Sequence, residues 1–390
     1  MSAIVRLIKT NIRQYGMIMV LACLMLLFQA LTQGIMFKPM NITNLVLQNS
    51  YVLILAIGML LCIVTGNIDL SVGSVSAFVG AVAAVMMINF EMGVAPAILV
   101  ALGIGAAVGA FQGLFIAFLR LPAIIVTLAG MLIFRGLTMV ILKGQTKAPF
   151  AKSFQALAAG YLPGSEWRVD GLNVVALAVG IAASIILAFA MLHSRRVRLR
   201  HHFEPVPLWV DALKIAALVI AIDLLTYELA CYDGIPVILV ILTALILIYT
   251  FFAKRTIAGR HVYALGGNER AARLSGIKTD RVVFWVYVNM GVLAALAGLI
   301  VAGRLNAATP KAGVNFELDA IAACYIGGAS ASGGIGTVIG TIVGGCVMAV
   351  LNNGMSIIGV SVDWQQTIKG LVLLLAVWFD VFAKSRPQSR

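Results

Sequence analysis

The sequence has few charged residues. Only 11% of its 390 residues are Asp, Glu, Lys or Arg, whereas about 25% is usual in soluble domains. Hydrophobic residues make up 62% of the chain, and no polar stretch is long enough to form a separate soluble domain. This composition excludes a soluble globular enzyme. It also excludes a disordered chain, which needs low hydrophobicity and a high net charge.

Cysteines and catalytic motifs are scarce as well. The five cysteines lie at irregular spacing in apolar segments and form no C-x-x-C pair, so we expect reduced thiols rather than disulfides or a zinc site. The chain has no G-x-x-x-x-G-K-[ST] motif for ATP phosphates, no H-E-x-x-H and no G-x-S-x-G. We therefore expect no metal ion, no cofactor bound by this chain and no catalytic residue.

Long apolar runs account for most of the sequence. A membrane-spanning helix needs about 20 apolar residues, and the chain has room for roughly ten such helices. The predicted spans are Met17–Met36, Ile42–Thr65, Leu70–Ile88, Val94–Leu119, Pro122–Leu142, Leu172–Leu192, Trp209–Cys231, Ile235–Phe252, Val282–Val301, Ile335–Met355 and Trp364–Phe382. A short broken or re-entrant segment is predicted over Asp319–Ile326. The predicted fold is an all-α polytopic membrane protein, with a single transmembrane domain over residues 1–390.

The positions of the basic residues predict the orientation. A net charge of +13 suggests nucleic acid in a soluble protein, but membrane proteins retain Lys and Arg in cytoplasmic loops. When the spans alternate, most of the 28 basic residues fall on one face. We expect that face and both termini to be cytoplasmic, and no nucleic-acid partner. The predicted loops are 143–171 on the periplasmic side, and 193–208 (basic) and 254–281 on the cytoplasmic side.

Polar residues at a break between two spans mark a candidate substrate pathway. Asp69 stands there with Asn67, Ser71 and Ser74. One interpretation is that these side chains cap the helix that follows. The other is that they line a polar pathway, because irregular backbone survives at membrane depth only where it faces protein or water.

Other polar residues lie inside the predicted spans or directly before them. Asn41, Asn44 and Gln48 share one helical face, and their amides suit a neutral hydroxylated solute, although hydrogen bonds between helices explain them equally well. Arg135 and Asp223 each lie within a span, either as functional groups or as structural ion-pair partners.

Three further residues complete the candidate pathway. Thr127 lies in the same span as Arg135. Glu317 and Asp319 enter a Gly/Ser-rich apolar stretch, where helix capping is again the alternative interpretation.

Glycines repeat at helix-packing distance in two places. Small residues at every fourth position allow helix backbones to approach closely, so we expect packing within the subunit or at a dimer seam. The two repeats are Gly105, Gly109 and Gly113, and Gly336, Gly340 and Gly344.

A short charged helix is predicted within the 254–281 loop. Asn268 has the character of an N-cap, and Gly276 ends the helix after about two turns. A helix of this kind is not needed to cross a bilayer. We interpret it as a docking element for a soluble partner, with a solvated basic loop as the alternative. The candidate docking residues are Arg260, Asn268, Glu269, Ala271, Ala272, Arg273 and Gly276.

Four stretches together resemble the motifs of one family, and they occur in the family's order. These are Gly66–Ser74, Pro122–Gly136, Tyr263–Ile277 and Glu317–Gly334. They resemble permease subunits of bacterial monosaccharide importers of the ATP-binding-cassette (ABC) class, those for ribose, xylose, arabinose and galactose.

The resemblance has finer features. The basic stretch Arg195–His202 and the ending from Asn353 are most similar to the xylose type. Asn67 and Tyr325 depart from the family pattern, and Asn67 leaves the fine specificity open.

The resemblance implies a fold similar to that of type II importer permeases, in the bacterial inner membrane. It implies a homodimer that works with two cytoplasmic ATPase subunits, which bind ATP-Mg, and with a periplasmic sugar-binding protein. The expected activity is import of xylose or another pentose or hexose by alternating access, with residues 259–277 coupling the chain to the ATPase. The alternative is a secondary transporter driven by an ion gradient through Asp223, Arg135 or Asp69. An intramembrane enzyme is disfavoured because no catalytic constellation is present.

Overall fold

The computed structural model describes residues 2–164, 166–201 and 207–385. Helices account for most of these residues, together with one hairpin of two short strands, β1 (Arg168–Val169) and β2 (Leu172–Asn173). The helices are α1 (Ser2–Leu31), α2 (Pro39–Val64), α3 (Val72–Ala84), α4 (Val94–Gly113), α5 (Ala123–Leu142), α6 (Lys152–Ala159), α7 (Val174–Arg200), α8 (Leu208–Ala230), α9 (Val237–Arg255), α10 (Ile257–Gly267), α11 (Glu269–Leu274), α12 (Thr279–Leu305), α13 (Phe316–Ile326), α14 (Val338–Ile357) and α15 (Val362–Ser385). The π-helical turns Val85–Asn89 and Leu114–Phe118 extend α3 and α4.

Eight of the described helices are long and apolar enough to cross a membrane. They are α2, α3 with its π turn, α4 with its π turn, α5, α7, α9, α12 and α14. A shorter apolar stretch, Gly16–Leu31, belongs to α1, while α8 and α15 have the length of a span but carry several charged residues. The predicted all-α, polytopic fold is confirmed. Helices suit a bilayer because each satisfies its own backbone hydrogen bonds.

The centre of the bundle is formed by α2 and α12. Helix α12 packs against α2, α3 and α4, while α2 also packs against α13 and α14. In its most apolar window, 72% of α2 is buried, compared with 17% for α7 and for α9. The outer helices therefore expose apolar side chains such as Ile185, Phe189 and Ile248, which is the surface that contact with lipid requires.

The first glycine repeat holds α4 against α12. A Cβ atom at Gly109 would overlap the carbonyl oxygen of Tyr287, and one at Gly105 would meet the backbone of Gly291. Gly113 lies against the backbone of Phe284 in the same way. These close approaches lie within one chain, between α4 and α12.

The second repeat is divided between a helix and the segment before it. The helix predicted from Ile335 begins only at Val338, so Gly336 lies outside it. The reason is a cap: the Thr337 hydroxyl accepts a hydrogen bond from the backbone N–H of Gly340, at 3.0 Å. Gly340 and Gly344 lie inside α14 and pack closely on Gly327 and Ala323 at the end of α13.

The stretch predicted as a basic loop over 193–208 is largely helical. Helix α7 continues to Arg200, because Arg195 forms an ion pair with Asp211 of α8 and the two helices pack side by side. Residues 202–206 of the predicted loop, His202 included, lie outside the described residues. The predicted loop 143–171 contains α6 and most of the β1–β2 hairpin.

We expect Gly109→Ala to destabilise the protein, because the added methyl group forces α4 away from α12. Overpacking of this kind costs about 1–3 kcal/mol. Gly103→Ala on the same helix is the matched control, since nothing lies within 4 Å of its Cβ position. Thermal unfolding in detergent checks the difference. Equal melting temperatures for the two variants would contradict the close packing of α4 on α12.

Candidate functional site

A polar cavity lies at the end of the bundle where α12 terminates. Its volume is about 450 Å³, and helices α2, α12, α14 and α15 contribute to its wall. The side chains around it are mostly amides, hydroxyls and amines, in contrast to the apolar surface of the helices. Its polar lining includes Gln48, Asn49, Tyr51, Arg304, Asn352 and Lys369.

An ion pair closes one side of the polar cavity. Lys369 Nζ on α15 lies 2.9 Å from Asp319 Oδ1 on α13, and the Tyr51 hydroxyl lies 3.4 Å from Asp319 Oδ2. The Asp319 side chain is only 4% exposed. A buried carboxylate needs a partner, and here the partner is a lysine. The structure thus gives Asp319 an interhelical role instead of the capping role considered from the sequence.

A second polar group surrounds the break between α2 and α3. Asp69 Oδ1 accepts hydrogen bonds from the Ser71 backbone N–H, at 2.8 Å, and from the Ser71 hydroxyl, at 2.6 Å. Gln112 Nε2 of α4 in turn donates to Ser71 Oγ at 2.7 Å. The side chain of Ser71, the N-cap residue of α3, makes no capping hydrogen bond to the helix. The capping interpretation of Asp69 therefore fails, because its carboxylate is engaged by Ser71 before the helix begins.

Gln112 was not singled out from the sequence. It lies between Gly109 and Gly113, in a span assigned to packing, and the structure shows it 2% exposed and turned toward the break. The signal was available, since a Gln inside an apolar span calls for a polar partner.

Three buried polar atoms between these two groups have no hydrogen-bond partner among the described residues. They are Ser74 Oγ, Glu317 Oε2 and one terminal nitrogen of Arg135. Glu317 lies against Gly73 in the first turn of α3 and interacts electrostatically with Arg135 and Asp69. Leaving such groups unpaired costs about 1–3 kcal/mol each. The polar groups thus continue from the α2–α3 break to Asp319 and the polar cavity.

Arg135 and Asp223 are not partners. The Asp223 carboxylate accepts a hydrogen bond from the Ser184 hydroxyl at 2.7 Å, within the α7–α8 pair. Arg135 lies on α5 and interacts electrostatically with Glu317. The carboxylate of Asp223 lies outside the polar groups described above, and the pairing of α7 with α8 accounts for it.

The amides predicted to share one face of α2 have different surroundings. Asn41 and Asn353 exchange two amide hydrogen bonds of 3.0 Å each, which join α2 to α14. Gln48 is exposed and lines the polar cavity. Asn44 is half-buried and is not part of the cavity lining.

Two residues near the α2–α3 break have local partners. The Thr127 hydroxyl donates to the carbonyl of Ala123 at 2.9 Å and is fully buried. Asn67 is half-buried, and its amide lies 3.3 Å from the hydroxyl of Thr65.

The opposite end of the bundle carries the short helices α10 and α11. Asn268 Oδ1 accepts a hydrogen bond from the Ala271 backbone N–H at 3.0 Å and so caps α11. Helix α11 ends at Leu274, and Gly276 follows with a φ of +85°, a conformation that glycine adopts easily.

Arg273 fastens α11 to the start of α12. It donates to Glu269 at 3.0 Å, to the Thr279 hydroxyl at 2.9 Å and to Asp280 at 3.2 Å. Ala272 is buried beneath the short helix. The sequence predicted Arg273 as a docking residue, and the structure adds a role within the chain, in joining α11 to α12.

An exposed leucine stands on α11. Leu274 is 90% exposed, next to the exposed side chains of Ala271 and Arg273, and Arg260 is exposed on α10. Leu274 does not stand out in the sequence, because a leucine among polar residues gives no periodic signal in a helix of six residues. We refer to Arg260, Glu269, Ala271 and Leu274 as the α10–α11 surface.

Helix α10 connects this surface to both helix breaks. Gly266 lies directly against the carbonyl of Val64, the last residue of α2. The Gly334 N–H donates to the same carbonyl at 2.9 Å, and the Tyr263 hydroxyl donates to the carbonyl of Gly336, also at 2.9 Å. A movement of α10 would therefore act on the end of α2 and on the segment 327–337 together.

Membrane-crossing helices around a polar cavity, interrupted helices and short charged helices at the opposite end together define a polytopic membrane permease. The chain belongs to the family described as branched-chain amino acid transport system / permease component, whose model matches residues 41–377.

Several characterised relatives are similar over most of their length. The chain is 37% identical to the xylose transport system permease protein of Haemophilus influenzae, over 98% of this chain and 99% of the relative. It is 39% identical to the xylose transport system permease protein of Escherichia coli K12, over 96% and 93%. The ribose import permease protein of the same bacterium is 35% identical, over 88% and 86%. No solved structure matches the chain.

We expect Lys369→Met to destabilise the protein by about 3 kcal/mol or more, because it leaves the buried carboxylate of Asp319 without its partner. The double variant Lys369→Met with Asp319→Asn removes both charges and should recover most of this loss. Thermal unfolding of the purified variants checks the pair. A double variant as unstable as the single one would show that the two charges do not compensate each other.

Proposed function

We propose that the chain is the transmembrane subunit of an ATP-driven importer that moves a monosaccharide, xylose or a related pentose or hexose, by alternating access. The observation that carries the proposal is the polar cavity of about 450 Å³ at one end of the bundle. Its amides and hydroxyls each donate and accept hydrogen bonds, as sugar hydroxyls require. The transport activities in the names of the xylose and ribose relatives support the same substrate class.

The α10–α11 end is proposed to be cytoplasmic, with the polar cavity open to the periplasm of a bacterium. Lys and Arg are retained on the cytoplasmic side of inner-membrane proteins, and the segment from the end of α9 to the first turn of α12 is rich in them. The basic residues there are Lys254, Arg255, Arg260, Arg270, Arg273, Lys278 and Arg281. The same rule favours both termini on the cytoplasmic side.

Three kinds of partner follow from this orientation. An ATPase, which would bind the ATP-Mg, docks on the α10–α11 surface. A periplasmic sugar-binding protein delivers the sugar to the end that holds the polar cavity. A second copy of the chain forms a homodimer, as expected of importer permeases. The exposed Leu274 and the exposed basic side chains around it support the first of these contacts.

The contacts of α10 suggest how ATPase closure would reach the pathway. A partner that moves α11 also moves α10, because only Asn268 separates them. Through Gly266 and Tyr263, α10 then displaces the end of α2 and the segment before α14. The end of α2 borders the break that carries Asp69. The segment before α14 forms the break that follows α13. Such a displacement would open one end of the pathway while closing the other.

The buried polar atoms without partners would form hydrogen bonds with the sugar along the pathway. Ser74 Oγ, Glu317 Oε2 and one terminal nitrogen of Arg135 are buried without hydrogen-bond partners among the described residues. Sugar hydroxyls passing from the polar cavity toward Asp69 would supply those partners, so that the cost of leaving them unpaired falls during passage.

Uptake into vesicles tests the proposal. We expect proteoliposomes that contain the chain with its ATPase and sugar-binding protein to accumulate xylose or ribose only when ATP is supplied on the ATPase side. A proton or sodium gradient alone should drive no sugar uptake, because the carboxylate of Asp223 accepts a hydrogen bond from Ser184 on the outer α7–α8 pair. Gradient-driven uptake without an ATPase would refute the importer and support a secondary transporter.

We expect Leu274→Glu to weaken ATPase binding at least tenfold, because a charge then replaces the exposed apolar side chain at a contact surface, a loss of about 1.4 kcal/mol or more. Co-purification of the ATPase with the tagged variant measures the effect. Val169→Glu is the matched control, an equally drastic change at a 63% exposed residue at the opposite end. Unchanged ATPase recovery with Leu274→Glu would argue against docking at α11.

A further inference from the structure

A second cavity lies at the α10–α11 end, away from the polar cavity. It has a volume of about 770 Å³ and separates α9 from α12, with α10 on one side. Most of its wall is apolar and is formed by side chains such as Ile248, Phe252, Val282 and Trp285. Ligand sites commonly have volumes of about 300–1,000 Å³, so this interhelical cavity is large enough for a small molecule or part of a lipid.

In the membrane orientation proposed above, the opening of the interhelical cavity lies between exposed apolar side chains of two membrane-crossing helices. Ile248 on α9 and Trp285 on α12 stand beside it and are 59% and 65% exposed. Both helices are long and apolar enough to cross the membrane. At the inner wall, Tyr249 and Asn289 form a hydrogen bond with each other. An apolar space that opens toward hydrocarbon favours a hydrocarbon occupant over water, because apolar surface is poorly solvated.

One rim of the interhelical cavity is basic. Lys278 and Arg281 belong to its lining and are exposed, and neither forms an ion pair within the described part of the chain. Asp280 stands between them, but its carboxylate is bound by Arg273 at 3.2 Å. His261 of α10 lies on the same rim. Two basic side chains without acidic partners therefore stand at the mouth of an apolar cavity.

The start of α12 adds to the positive potential at this rim. The helix has 27 residues, begins at Thr279 and has no side-chain cap. Free backbone N–H groups and the helix dipole make such an N-terminus attractive to anions. A phosphate group at this position would meet both the helix terminus and the two basic side chains.

We propose that the interhelical cavity binds one anionic phospholipid of the cytoplasmic leaflet. An acyl chain lies between α9 and α12, and the phosphate contacts Lys278, Arg281 and the start of α12. Basic pockets between helices on the cytoplasmic side suit anionic head groups, and the charge of the rim selects them over neutral lipids. The site rests on the membrane orientation proposed above. Because Gly276 at the end of α11 also lines the cavity, the lipid would support the α10–α11 surface from behind.

Lipid binding to the purified, delipidated chain tests this site. Native mass spectrometry during titration with phosphatidylglycerol should show one tightly held lipid, and phosphatidylethanolamine should bind more weakly. The double variant Lys278→Gln with Arg281→Gln should weaken phosphatidylglycerol binding about 30-fold, equivalent to about 1 kcal/mol for each basic side chain.

Two further variants separate this site from general charge effects. Lys254→Gln with Arg255→Gln removes the same charge at the end of α9 but outside the cavity lining, so it should keep the parent affinity. Ala258→Trp places an indole at a lining position of α10 without changing the charge, and should reduce lipid retention while the melting temperature stays the same.

Several results would overturn the lipid site. They are equal affinity for the two lipids, full phosphatidylglycerol retention after loss of Lys278 and Arg281, or equal weakening in the Lys254 and Arg255 control. The measurement needs neither an ATPase nor transport. A negative lipid-binding result therefore does not refute the proposed importer function. A negative uptake experiment does not change the lipid-binding result.

Discussion

The structure depends on one constraint, that backbone polar groups inside a bilayer must find partners within the protein. Intact helices meet it automatically. The interrupted segments meet it by packing on one another: the last carbonyl of α2, at Val64, accepts the N–H of Gly334, and the carbonyl of Gly336 accepts the Tyr263 hydroxyl. The breaks therefore lie where three parts of the chain converge. The same constraint concentrates the polar side chains there, because lipid-facing positions cannot hold them.

Buried charges obey a related rule and are arranged accordingly. Asp319 has Lys369, and Asp69 has Ser71, so the carboxylates at the two ends of the polar series are satisfied. Between them, Ser74, Glu317 and Arg135 hold atoms without hydrogen-bond partners among the described residues. A protein that only needed stability would gain by removing such groups. Their presence in the middle of the series is what the proposed route for a polar solute would require.

Much of this architecture could be predicted from the sequence. Apolar runs predicted most of the long helices to within a few residues, although α1 begins at Ser2 and α7 continues to Arg200. Helix α11 followed from Asn268 and Gly276, because capping is a local property. The misjudged features depend on distant partners. Asp319 was interpreted as a pathway residue or a helix cap, and its ion pair was not foreseen because Lys369 lies 50 residues away. Gln112 was missed because its bond to Ser71 joins two helices. Leu274 was missed for the opposite reason, since it contacts little within its own chain.

The joint between Gly266, Val64 and Gly334 consists of main chain alone. A contact without side chains has no rotamers that can absorb a displacement. A movement of α10 is therefore transmitted through this joint with little loss. The joint also lies between two regions that can be changed independently, the outward face of α11 and the polar cavity. In the proposed importer, substitutions on the outward face of α11 would adapt the chain to a different ATPase, and substitutions around the polar cavity would adapt it to a different sugar. The joint between Gly266, Val64 and Gly334 can remain the same, because only main-chain atoms take part in it.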